Sequence, residues 1–174
     1  MKRFGIGFML FACGMLPCAT SSAETGFAVI AGTSADSRVS GSVTLTDTEE
    51  GLRIAVTVAN VPPGTHGLHI HAFGLCAEGG TSAGGHFNPD GVPHGNRLTD
   101  GVSAAHAGDL GNIEVATDGL GSWERTYPGL SLSEGRYAVA GRAVILHTQP
   151  DDFGQPTGNA GGRIGCGAIL IAGF

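Results

Sequence analysis

The sequence predicts an all-β domain, a sandwich or flattened barrel of about eight short antiparallel strands with two long loops inserted between them. Three observations predict it. Runs such as "SVTLTD" and "LRIAVTVA" alternate apolar and polar residues with the period of two that marks a half-buried strand. The runs are separated by clusters of Gly, Asp, Asn and Pro, with glycine supplying 31 of 174 residues. No segment carries the 3.6-residue apolar period of an amphipathic helix, and no internal repeat is present.

The first stretch is not part of that domain. "MKRFGIGFMLFACGMLPCATSSA" opens with a basic dipeptide, runs apolar from Phe4 to Leu16 and ends in a small-x-Ala pattern. Such a run is too short to span a bilayer and has the form of an export leader. The expected organisation is therefore a signal peptide over 1–23 and one domain over 24–174. A second reading takes "LFAC" as a lipoprotein signal, with Cys13 as a lipidated N-terminus; Phe11 fits that motif poorly.

Strands follow in order. "FAVIAGT", "RVSGSVTLTD" and "GLRIAVTVANV" read as an antiparallel meander that Pro62, Pro63 and Gly64 bring to an end. "GLHIHAFG" is a further strand in which His69 and His71 share a face, roughly 6 to 7 Å apart along the chain. From Leu75 to Asn112 alternation disappears. A loop of that length needs a reason to be ordered, and this one holds His86, His94, His106 and Asp109. Strands resume with "NIEVATD", "GSWERTYPG", "GRYAVAGRAVILH" and "GRIGCGAILIAGF", the last two separated by the loop "TQPDDFGQPTGNAGG".

Charge narrows the function. After the leader no lysine remains, and seven arginines face fifteen acids, a formal charge of -8. That balance excludes nucleic acid as a partner and offers no basic patch to an anionic membrane. Beyond the leader Cys76 and Cys166 are the only cysteines, ninety positions apart. In an oxidising compartment such a pair is expected to form a disulfide, two independent thiols being the alternative.

All seven histidines fall between positions 66 and 147. Imidazole is the commonest metal ligand; four suit copper in tetragonal geometry, and three with a carboxylate suit tetrahedral zinc. The ordered motifs "GLHIHAFG", "AGGHFNP", "HAGDLGN", "ILH" followed by "DDFG", and "GNAGGRIGCG" resemble those of the copper/zinc superoxide dismutases, in particular an exported bacterial type. The resemblance runs from His66 to the C-terminus and implies a Greek-key fold whose two long loops complete metal sites.

Taken residue by residue, the resemblance implies copper ligation by His69, His71, His86 and His147, and zinc ligation by His86, His94, His106 and Asp109. His86 would bridge both ions and take a proton during turnover. It further implies that Asp151 links His69 to His94 from outside the ligand shell, that Arg163 holds the superoxide anion beside copper, and that Thr157 forms the opposite channel wall. His66 is expected to be a buried structural group. The implied activity is dismutation of superoxide to dioxygen and hydrogen peroxide, in antioxidant defence; a copper-buffering protein without turnover is the alternative. The leader points to export, to a periplasm, and a homodimer is left open. Between His147 and Arg163 the chain is shorter than in the familiar eukaryotic members and lacks their charged segment.

Overall fold

The structure, a computed structural model, describes residues 23–173. The leader and its lipidation alternative at Cys13 lie outside the described residues.

Nine strands follow one another: β1 (Thr25–Gly32), β2 (Ser40–Thr48), β3 (Gly51–Ala59), β4 (Gly64–His71), β5 (Asp109–Val115), β6 (Gly121–Tyr127), β7 (Ala143–His147), β8 (Arg163–Ala168) and β9 (Leu170–Ile171). Every pairing between them is antiparallel. The order β2-β3-β6-β5-β4-β7-β8-β1 closes through a β1–β2 pairing, so eight staves form a barrel. Closure removes the open sheet edges on which strands of other chains would pair. β4, β5 and β6 are consecutive neighbours, and β3 lies beside β6, the Greek-key order.

Alternation in the sequence becomes inside and outside of the barrel. Along β3, Leu52, Ile54, Val56 and Val58 face a core shared with Ala28, Ile30, Val43, Leu45, Leu68, Ile70, Ile113 and Leu146. Fully burying each Leu or Ile stabilises the fold by roughly 1.5 to 3 kcal/mol. β4 differs, being buried along both faces from His66 to His71. Leu68 and Ile70 enter the core, while His69 and His71 lie on the outer face beneath the long loops.

Three elements depart from the sequence expectation. "GRYAVAGRAVILH" forms a strand only from Ala143, because Val139 and Ala140 donate backbone hydrogen bonds back to Leu132 and Gly141 takes φ 77°. The last run splits into β8 and β9 at Ile169, whose N–H bonds Arg142 O rather than β1. The first long loop contains a kinked 3-10 turn (Glu78–Ala83) and one α-helical turn, α1 (Arg97–Asp100), N-capped by the Asn96 side chain. That loop also ends earlier than expected, since β5 begins at Asp109.

Candidate metal centre

The first long loop is stitched to β4 by backbone bonds. Ile70 N–H donates to Gly108 O at 2.9 Å, Phe87 N–H to Ile70 O at 2.8 Å and Gly108 N–H to Phe87 O at 2.9 Å. Gly108 has no room for a side chain, because a Cβ there would strike Ile70 O. This three-way junction sets His86 beside His71 and holds Asp109 opposite His69. On the other side of β4, β7 ends at His147, which pairs with Arg163 across a register shift.

His69, His71, His86 and His147 form one cluster; His86, His94, His106 and Asp109 form a second. In each, one candidate ligand atom per residue lies within 4.8 Å of all the others. His86 belongs to both. Its ring centroid is 4.0 Å from that of His69 and 5.3 Å from that of His94. Arg163 and Thr157 line the cavity onto which His71, His86 and His147 open, with Asn159 between them in the chain.

Each imidazole is oriented by a bond on one nitrogen. His71 Nδ1 donates to Gly84 O at 2.8 Å, and His147 Nδ1 to Gly161 O at 3.3 Å. Asp151 accepts from His69 Nε2 at 2.8 Å and from His94 Nε2 at 2.9 Å. These partners assign the tautomers. They leave His69 Nδ1, His71 Nε2, His147 Nε2 and His94 Nδ1 buried with no hydrogen-bond partner; the last approaches Asp109 Oδ2 at 2.9 Å without hydrogen-bond alignment. Buried polar atoms are ordinarily satisfied. Four orphaned ring nitrogens directed into two clusters suit metal ions of high imidazole affinity.

The electrostatics agree with that chemistry. Burial pushes His71 down to about 2, His147 to about 3 and His86 to about 4, so their rings are neutral and able to ligate. His94 differs: burial lowers it, but the Asp109 and Asp151 carboxylates outweigh burial and raise it to about 9, so a metal at its Nδ1 must displace a proton. Against burial, hydrogen bonds from His106 and His86, with the His94 ring close by, hold Asp109 well below the usual carboxylate range. His69, His94 and the Phe153 N–H do the same for Asp151. Asp152, by contrast, is exposed and serves its turn, accepting from Gly154 N–H and Asn159 Nδ2.

Cys76 and Cys166 are joined in a disulfide, with a Cα–Cα distance of 5.6 Å. The loop it fastens presents Gly80 O and Gly84 O to the Arg163 guanidinium at 2.6 and 2.7 Å. His66 enters neither cluster; its two ring nitrogens lie 2.8 Å from His147 O and from Pro62 O.

A family model described as copper/zinc superoxide dismutase matches residues 39–169. The chain belongs to that family. "Superoxide dismutase [Cu-Zn] 2" of Brassica juncea is 41% identical over 143 residues, covering 78% of this chain and 91% of the relative. Among solved structures, that titled "Crystal Structure Analysis of the clock protein EA4" superposes with a TM-score of 0.75 at 32% identity, covering 90% of this chain and all of that one. The family's metals, copper and zinc, suit the two donor sets, four imidazoles in one and three imidazoles with a carboxylate in the other.

Several residues that support this dismutase-family site carry no signal in the sequence. Asn112 grips Asp151 by both backbone ends, accepting from Asp151 N–H at 2.7 Å and donating to its C=O at 2.9 Å. Arg142 donates to Ala138 O and Ala72 O, with its guanidinium 3.4 Å from the Phe87 ring centroid. Gln155 and Gly158 touch His94 and Asp151. Asn112 falls inside "HAGDLGN" and Gly158 opens "GNAGGRIGCG", so motif context alone marks these two.

Proposed function

We propose that this chain dismutes superoxide to dioxygen and hydrogen peroxide, with copper held by His69, His71, His86 and His147 and zinc held by His86, His94, His106 and Asp109. The observation that carries the reading is that His86 belongs to both clusters. Copper, when bound, supplies one-electron redox chemistry, accepting an electron from one superoxide and returning it to the next, and zinc, which has no redox chemistry, contributes charge and rigidity.

The chain's own residues do the rest. Asp109 Oδ1 lies 2.8 Å from His86 Nδ1, on the ring edge opposite Nε2, so His86 is aimed with Nε2 toward the other cluster. Nε2, the ring nitrogen away from Asp109, is where His86 would hold and release one of the two protons that each dismutation consumes. Arg163, fixed by Gly80 O and Gly84 O, presents positive charge at the cavity and binds the anion. Thr157 closes the cavity from the other loop.

The leader-like stretch over 1–23 and the disulfide favour export to a periplasm. Among the described residues no helix is long and apolar enough to cross a membrane. For the homodimer, the exposed apolar side chains Phe27, Val29 and Leu170 give a second copy a strip to cover, and sedimentation equilibrium is the test.

The deciding experiment measures superoxide dismutation by the protein reconstituted with copper and zinc, beside a His86→Ala variant shown to fold. Copper-dependent turnover that collapses in the variant supports the shared-histidine mechanism. Stoichiometric copper uptake without turnover replaces it with copper buffering.

A further inference from the structure

We propose that Gln155 is a positioning residue that locks the backbone of His94 to the loop carrying Thr157 and Arg163, so that zinc retention and the shape of the anion cavity depend on one side-chain amide. The proposal rests on the reading of the second cluster as a zinc site.

His94 N–H donates to Gln155 Oε1 at 3.1 Å, and Gln155 Nε2 donates to His94 O at 2.7 Å. The amide thus occupies both main-chain groups of one residue, as a neighbouring strand would. Its orientation is settled by chemistry: turning it over would set NH₂ against N–H and oxygen against oxygen. Around His94 the chain has no regular secondary structure, and Pro93 beside it has no N–H to contribute. Two residues earlier Asn88 treats Val92 in the same way, accepting from its N–H and donating to its C=O. The segment leading to His94 is therefore held by side-chain amides where a ladder would otherwise hold it.

The same short loop holds His94 twice. Asp151 Oδ1 accepts from the ring at Nε2, and Gln155, four residues on, takes the main chain. Between Gln155 and Arg163 the chain passes through Thr157 and Asn159, which line the cavity, and is folded back by the Asp152 N–H to Gly158 O bond. Fixing His94 fixes where this wall begins. The longer, charged segment of the familiar eukaryotic members is missing here, and a two-point amide tie is an economical way to order the short loop that remains. The tie is exposed to water at its outer side, so it acts by geometry and not by burial.

The test uses full-length protein carrying copper in the first site and cobalt(II) as a spectroscopic probe in the second. Gln155→Met keeps length and loses both bonds. Gln155→Glu keeps the acceptor for His94 N–H but sets a carboxylate oxygen against His94 O. Cobalt extraction by a chelator should accelerate about 10-fold in the Met variant and by less in the Glu variant. The cobalt visible spectrum should change in step, and azide, as an anionic probe, should bind the copper site at least 3-fold more weakly. Extraction rates, spectra and azide affinity equal to wild type in both variants overturn the proposal. Wild-type protein that takes up no cobalt overturns the zinc-site reading beneath it, a separate failure.

Discussion

Asp151 joins the two clusters through a single carboxylate, Oδ2 to His69 Nε2 at 2.8 Å and Oδ1 to His94 Nε2 at 2.9 Å. Both oxygens are buried, and both imidazoles owe their ring orientation to it. Asp151→Asn sets one amide NH₂ against a ring N–H, so one histidine must change tautomer or swing away. We expect zinc affinity to fall about 10- to 100-fold, with copper affected less because His71 and His147 keep their own backbone partners. Chelator competition followed by metal analysis checks this; equal loss of both metals would contradict the asymmetry.

Gly158 packs directly against that bridge. It has φ +75°, and a Cβ there would collide with Asp151 Oδ1 and His94 Nε2. Gly158→Ala is expected to cost about 1 to 2 kcal/mol from the left-handed backbone and to displace the carboxylate as well. Gly135→Ala is the control, since Gly135 has φ +72° but open space around it. Denaturation should show both variants destabilised, while metal analysis should show zinc loss only for Gly158→Ala.

The barrel was legible in the sequence because its strands obey the simplest rule available, alternation against one core. β3 shows it, with Leu52, Ile54, Val56 and Val58 all inward. The side chains that meet in the two clusters were legible through their motifs, since metal chemistry restricts residue types tightly. What escaped are the residues that hold the ligands. Gln155, Asn112 and Arg142 act through backbone carbonyls and N–H groups supplied by distant segments. Any residue can supply a backbone partner, so no pattern of side chains announces such a contact. The start of β7 differed from expectation for a related reason: "GRYAVAG" has strand composition, but the N–H groups of Val139 and Ala140 find partners at Leu132 instead of in the sheet.

The pKa shifts fix how metal-free protein responds to acid. His71, His86 and His147 titrate at about 2, 4 and 3 in the fold and at 6.5 when unfolded. Between pH 6.5 and 4 the unfolded chain therefore binds more protons, and stability falls as pH falls. Asp109 and Asp151, whose folded values are depressed, add a loss that begins lower, as pH drops through the ordinary carboxylate range. His94 has the opposite sign: raised to about 9, it contributes stability that is lost as pH rises from 6.5 through 9. Urea titrations of chelator-treated protein from pH 4 to 9 should show a maximum near neutrality. A flat profile between 4 and 6.5 would contradict the burial of neutral imidazoles.

The Cys76–Cys166 bond closes a separation of 90 residues. In the chain-entropy account a loop of that length stabilises the fold by about 4 to 5 kcal/mol. Replacing both cysteines by serine should lower the denaturation midpoint accordingly. It should also weaken anion binding, because the freed segment carries Gly80 O and Gly84 O, the partners of Arg163. Azide titration of the copper-loaded protein separates the two effects, a stability change alone meaning that Arg163 holds its place without the loop.

Arg163 also makes a prediction about salt. Residues 24–174 carry a formal charge of -8 and repel a superoxide anion at long range, while Arg163 at the cavity attracts it at short range. If capture depends on that guanidinium, screening the local attraction costs more than screening the diffuse repulsion, and the catalytic rate of wild type falls as ionic strength rises. Removing the charge leaves repulsion in command. Arg163→Ala should lower kcat/KM about 10-fold or more at low salt, and its rate should then rise or stay level as salt is added. Arg163→Lys keeps the charge without the fork that reaches both carbonyls, so it should restore the sign of the salt dependence and only part of the rate. Pulse radiolysis over a range of ionic strength reads all three. A wild-type rate that climbs with salt would place substrate capture under the net charge of the barrel instead of Arg163.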